Sequence, residues 1–298
     1  MSSNARRAVC VAASLAAAFA VLAAAAAAGE APGGGLGKPF ETQGFSTPES
    51  VAAAPGGGWF VSNINGQPAA KDSNGFISKL AADGSVAKLR FVESTREHPL
   101  HAPKGLAVHK GTLYATDIDR LVGYSAEDGS FVEEFDLPGA KFANDVAASA
   151  EGALYVTDSQ ADRIYRAKAG SALKEKPVVL AEGGHLAGPN GVAVAPDGSL
   201  RVCTTRTGKI LKVSAGGEVS VLHETGKTAL DGLGFDSRGD IVVSSFSAGE
   251  VYRVDKAGKV EVLAAGLGSA ADICVDAAAG LVVVPRFQQN AVKAVPLR

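Results

Sequence analysis

Cysteine, methionine and aromatic residues are scarce in this chain, and no long run of like charge occurs. Three cysteines in 298 residues exclude a disulfide-stapled framework, which needs dense, paired thiols. Aromatics are only 6% of the chain, so the interior must rest on Val, Leu, Ile and Ala between closely packed layers. A formal net charge of −2, with 20% charged residues, excludes a nucleic-acid binder driven by bulk charge. No G-x-S-x-G segment is present, which removes the usual strand-to-helix elbow of a serine hydrolase. The S-x-x-K match Ser171-Ala172-Leu173-Lys174 falls in a polar turn and reads as chance.

One apolar run stands apart from the rest. Arg6 and Arg7 precede an uncharged stretch from Ala8 to Ala28, which ends in Ala26-Ala27-Ala28 before Gly29. A basic start, an apolar middle and an A-x-A end describe a secretory signal over 1–28. The competing reading is an uncleaved membrane anchor, because the run is long enough to span. Alanine contributes weakly to membrane insertion, which favours cleavage and a secreted or periplasmic protein. Residues 29–38, with Pro32 and Gly33-Gly34-Gly35, read as a linker. Cys203 and Cys274 then remain, in strands of different repeats, beyond the reach of about 7 Å that a disulfide needs. They read as buried free thiols.

From 39 to 298 a short signature recurs six times, 40 to 55 residues apart, with a polar or charged second residue each time. The copies begin at Pro48-Glu49, Pro103-Lys104, Ala143-Asn144, Pro189-Asn190, Leu230-Asp231 and Ala271-Asp272. Each opens a series of short β-branched runs separated by glycine-containing pairs, such as Asp197-Gly198, which are hairpin signals. A repeat of this length built from four strands predicts an all-β, six-bladed propeller of four-stranded antiparallel blades. The last repeat holds only three strands before Arg298. The segment from Phe40 to Phe45 is expected to supply the fourth, closing the ring and removing a free edge. Asp117 and Asp158, at the ends of second strands, are read as caps on backbone N–H groups. Insertions at Asn65 to Asn74 and Glu93 to Ala102 break the regularity and are either binding loops or solvated decoration.

If equivalent residues point at one axis, Glu49, Lys104, Asn144, Asn190, Asp231 and Asp272 form a ring. Carboxylates and amide carbonyls are hard oxygen donors, suited to Ca²⁺, Mg²⁺ or Mn²⁺. Such an ion would polarise an ester carbonyl and activate water, with Asp231 or Asp272 taking the proton. The bland alternative is a polar channel lined by side chains and ordered water.

The set Pro48-Glu49, Asn144-Asp145, Pro189-Asn190-Gly191 and Asp231-Gly232 resembles the gluconolactonase, regucalcin and luciferin-regenerating-enzyme family of six-bladed propellers. The resemblance covers essentially the whole chain after the leader. It implies that Glu49, Asn144, Asn190 and Asp231 hold a divalent metal, Ca²⁺ first, with Mn²⁺, Mg²⁺ or Zn²⁺ as substitutes. It also implies a small-molecule lactone or ester as substrate and a gluconolactonase-like activity. Two departures stand against a sugar-acid lactone. Phe142 occupies the place where many members carry a substrate-contacting arginine, and Lys104 puts an ammonium beside Glu49. Lys104 either orients Glu49, binds a substrate carboxylate, or displaces the metal in an ion pair. His101 and His185 precede inner strands near the channel mouth and are candidate substrate contacts or bases, with solvated loop residues as the alternative. Arg286 is either an anion contact or a structural ion pair. The expectation is an exported, monomeric, metal-dependent hydrolase of a lactone or small ester; the alternative is a non-catalytic binding propeller with a structural metal.

Overall fold

The computed structural model describes residues 37–297; the expected signal segment 1–28 and most of the linker lie outside them. Six four-stranded antiparallel sheets follow one another along the chain. The innermost strands are Pro48–Ala53, Pro103–His109, Ala143–Ala148, Pro189–Val194, Leu230–Phe235 and Cys274–Asp276. Each pairs with a second strand across a short turn, and two further strands lie outward of it, except at the closure. In blade six the outermost strand is Phe40–Gln43, in register with Ala291–Pro296 through Phe40 opposite Ala294 and Gln43 opposite Ala291. The expected six-bladed propeller and its closure by the N-terminal strand are both present.

The hydrophobic core is divided among the gaps between adjacent sheets. Phe60 and Ile77 of blade one pack with Leu106 and Leu113 of blade two. Trp59 and Leu80 of blade one pack with Leu281 and Val283 of blade six, so the same contact closes the circle. This is how a chain poor in aromatics buries itself. Flat β-branched faces lie on one another, and no single large side chain fills a centre.

Near the axis the packing is too tight for side chains on one strand position. A Cβ on Gly191 would lie 2.4 Å from the Asp231 carbonyl oxygen, and one on Gly232 would lie 2.2 Å from Asp272 Oδ1. These glycines are required by close approach of the next inner strand.

One expectation needs correction. The sixth signature does not open its strand as the others do. The strand begins only at Cys274, and Asp272 instead makes an isolated parallel bridge with Ser50, its N–H donating to the Glu49 carbonyl at 2.9 Å. Blade six must hand over to blade one, the first blade in sequence, at this point. Its inner strand pairs locally with that neighbour before it joins its own sheet.

Candidate functional site in the central channel

The ring residues share one backbone feature. In blades one to five the register slips between the first and fourth residues of the innermost strand, at Pro48/Val51, Pro103/Leu106, Ala143/Val146, Pro189/Val192 and Leu230/Leu233. A bulge of this kind turns a side chain away from the sheet face, here at the second residue of each signature. All six ring side chains are buried, from 1% exposure at Lys104 to 7% at Glu49 and Asp231.

Charged ring groups of non-adjacent blades are near enough to influence one another's proton affinity. Asp231 in blade five and Asp272 in blade six both push the Glu49 carboxyl of blade one upward, while Lys104 pulls it down. Asp145 in blade three feels Asp272 across the ring. Burial is the largest cause of each upward shift, with carboxylate repulsion next for Glu49, Asp145 and Asp231. Asp272 is pushed up to about 7 by burial, against the hydrogen bond from Ser50 Oγ. Lys104 is lowered to about 8 by burial, while Glu49, Asp117 and Asp158 oppose the shift. Negative groups outnumber the one cation in a place shielded from water.

Three buried oxygens in this ring have no hydrogen-bond partner: Glu49 Oε2, Asn190 Oδ1 and Asp231 Oδ1. They belong to three of the four residues of the expected ligand set. The fourth, Asn144, donates through Nδ2 to Ser159 Oγ at 2.8 Å, which fixes its amide. Unpartnered buried acceptors cost free energy unless something positive meets them. Two carboxylates and two amides are a donor set that a hard divalent cation fits. Among the described residues no three His, Cys, Asp or Glu side chains group as metal ligands. Only Glu49 and Asp231 of the candidate set are of those types, the rest of the coordination falling to amide oxygens.

Lys104 does not neutralise Glu49 by direct contact. Its ammonium donates to the Ala102 carbonyl at 3.0 Å and lies 4.5 Å from the centre of the Phe142 ring. The displaced-metal alternative, an ion pair between Lys104 and Glu49, is not formed. Phe142 thus takes up the cation next to it through its π face.

The residues around the ring are held by a tier that sequence reasoning missed. The penultimate residue of the second strand carries a hydroxyl or thiol in five blades: Ser62, Thr116, Thr157, Cys203 and Ser244. Four of these reach the next blade's ring. Thr116 donates to the Asn144 carbonyl at 2.6 Å, Thr157 to Asn190 at 2.6 Å, Cys203 to Asp231 at 2.9 Å, and Ser244 to Ala271 at 2.8 Å. Asp145 also ties blades together, accepting from the N–H of Val146 at 2.6 Å and of Val192 at 2.7 Å. The signal was a Ser, Thr or Cys 12 or 13 residues after the ring residue in the first five repeats; the sixth has Pro285 there. Cys203 is buried and free, as expected, and its thiol stands in for a hydroxyl; Cys274, also free, is only partly buried.

The remaining candidates are placed as follows. Asp117 accepts from the N–H groups of His101 and Ala102, and Asp158 from Lys141, Phe142, Gln160 and Ala161, so both are backbone caps. His101 Nδ1 accepts from the Ser73 N–H at 3.1 Å and anchors the first insertion. His185 is exposed on a single 3₁₀ turn, Gly184–Leu186. Arg286 donates to the Leu267 carbonyl at 2.7 Å and pairs with Glu41 of the closing strand.

Comparison with known proteins agrees with this architecture. A gluconolactonase from Xanthomonas campestris superposes with a TM-score of 0.66 at 18% identity, over 88% of this chain and 91% of that one. Virginiamycin B lyase from Staphylococcus aureus superposes with a TM-score of 0.61 at 15% identity, over 88% of this chain and 99% of that one. At such identities the likeness carries the fold and nothing finer. No curated protein matches the chain. The model of the SMP-30/gluconolactonase/LRE-like region matches residues 82–274, from the first blade to the start of the last inner strand, and the chain belongs to that family.

Proposed function

We propose that this protein hydrolyses a lactone or small ester, using a divalent cation held by Glu49, Asn144, Asn190 and Asp231. The observation that carries the reading is the trio of buried, partnerless oxygens on Glu49, Asn190 and Asp231. A gluconolactonase among the structural neighbours supports the same reaction class. The donor set suits Ca²⁺ first, with Mn²⁺, Mg²⁺ or Zn²⁺ as alternatives. A cation bound there polarises a carbonyl and makes water acidic.

The chain's own groups do the rest. Glu49 and Asp231 supply negative charge, and the asparagine amides supply dipoles without further charge. Asp231 or Asp272 accepts the proton from attacking water; Asp272 is held in place by the Ser50 hydroxyl. Lys104, at about 8, stays protonated at neutral pH and offers its charge to a substrate carboxylate or to oxygen that becomes negative during reaction. His101 and Arg286 are engaged with Ser73 and Glu41, and His185 is exposed on its 3₁₀ turn, whereas Lys104 belongs to the ring itself and is the substrate contact we favour.

Protein stripped with chelator should lose lactone hydrolysis and regain it with Ca²⁺ or Mn²⁺. Equal turnover with and without chelator would reject the reading. Export is part of the proposal and is checked by N-terminal sequencing of protein recovered outside the cytoplasm, which should begin near Gly29.

A further inference from the structure

Immediately beyond each second strand stands one residue per blade: Ile64, Ile118, Ser159, Thr205, Phe246 and Phe287. Their backbones are tied to the segments that lead into the ring. Ile64 N–H donates to Thr47, Ser159 to Phe142, Thr205 to Gly188, Phe246 to Ala229 and Phe287 to Ser269, at 2.9 to 3.2 Å. These acceptors lie two or three residues before Glu49, Asn144, Asn190, Asp231 and Asp272. Ile118 is tied the other way, its carbonyl accepting from the Ala143 N–H at 2.7 Å, one residue before Asn144. The six residues therefore form a second tier at the ring's own end of the channel.

That tier is divided by chemistry. Blades three and four present the hydroxyls of Ser159 and Thr205. Blades five and six present Phe246 and Phe287, in edge contact with ring centres 5.6 Å apart. Phe287 rests on the buried Ile64, Ala102 and Ile118, while both phenyl rings stay partly exposed. In a chain so poor in aromatics, two phenylalanines beside a polar site keep apolar surface that their packing on each other and on Ile64, Ala102 and Ile118 leaves uncovered.

We infer that the substrate carries an apolar substituent, an alkyl chain, which lies on Phe246 and Phe287 while its ester carbonyl faces the ring. The inference rests on the hydrolase reading above and narrows it, away from polyhydroxylated lactones. Water leaves the two phenyl faces when the chain docks, and each methylene so buried favours binding about fourfold.

The test compares kcat/KM, on metal-loaded full-length protein, for an unsubstituted five-membered lactone, its hexyl-substituted analogue and a polyhydroxylated six-membered lactone. The hexyl compound should be preferred by at least about tenfold. Phe246→Ser and Phe287→Ser should each bring that ratio close to one, with Phe246→Leu retaining it. Circular dichroism melting identifies any variant that fails to fold. A polyhydroxylated or unsubstituted lactone turned over as well as the hexyl one overturns the inference and leaves the hydrolase reading intact. If no lactone is turned over, that reading falls, and calorimetry with 2-hexylcyclopentanone against cyclopentanone decides. Tighter binding of the hexyl ketone, abolished in the serine variants, upholds the apolar site; equal binding, or binding indifferent to the variants, overturns it.

Discussion

At the scale of single residues, the ring works against the stability of the metal-free protein. Burial raises the proton affinities of Glu49, Asp231 and Asp272, and carboxylate repulsion adds to the rise at Glu49 and Asp231. Asp231→Asn removes one of these charges at nearly constant shape. The metal-free variant should melt a few degrees higher than the parent, at about 2–4 °C for each kcal/mol of repulsion removed. The same variant should lose most of the stabilisation that added Ca²⁺ or Mn²⁺ confers on the parent. Scanning fluorimetry with and without metal measures both effects, and a lower metal-free melting point would contradict the charge account. Cys203 is a different case. Its thiol holds the Asp231 carbonyl from the place where other blades use Thr157 and Ser244. Cys203→Ser should therefore be milder than Cys203→Ala, which leaves that buried carbonyl without its donor at about 1–3 kcal/mol. Urea unfolding of the two variants makes the comparison.

At the scale of strands, the innermost segments of blades one to five repeat one device: a bulge that aims a polar side chain, followed by a residue pressed against the neighbouring blade. The repeat was legible because the second residue of every signature is polar, which an ordinary inner strand has no reason to keep. The bulge was not legible, since no residue type marks it here. Nor was the reason for Gly105, Gly191 and Gly232. Turn chemistry explains a glycine at positive φ, but these three sit where the next strand would meet a Cβ at 2.4 Å or less. Gly191→Ala has backbone rather than a flexible side chain in its way, so the two blades must part. A loss of about 1–3 kcal/mol is expected on chemical denaturation. The sixth signature shows what periodicity misses. It reads like the others, yet its strand starts late because the local neighbour of Asp272 is Ser50, at the far end of the chain.

At the scale of the whole molecule, two properties follow from closure. The first is a pH dependence. A carboxyl whose pKa is higher in the folded state gives its full stabilising effect below its unfolded value and loses it as pH rises through the folded one. For Asp272 that window runs from 3.8 to about 7, and Glu49, Asp145 and Asp231 shift in the same direction. The metal-free protein should melt lower at pH 7.5 than at pH 5, and saturating divalent cation should remove or reverse the difference, because the ion binds the deprotonated ring. The second concerns the seam. Phe40 lies 5.2 Å from the ring of Trp59, the single tryptophan, across the join of blades six and one. Deleting the residues before Gly44 would strip Ala291–Pro296 of its partner and uncover Trp59, now 2% exposed. A red-shifted tryptophan emission, a lower melting point and aggregation by light scattering are expected.

By itself the sequence determined the blade count, the strand order and the recurring polar residue near the start of each repeat. These depend on local alternation, turn residues and a constant period, all written in adjacent residues. Only the tertiary structure decided which partners those side chains meet: Lys104 against Phe142 rather than Glu49, Asp272 against Ser50, Arg286 against Glu41, and Phe246 beside Phe287. Such pairings arise between positions 38 to 245 residues apart. They are set by how six sheets fit around one axis, a distance relation that no local pattern records.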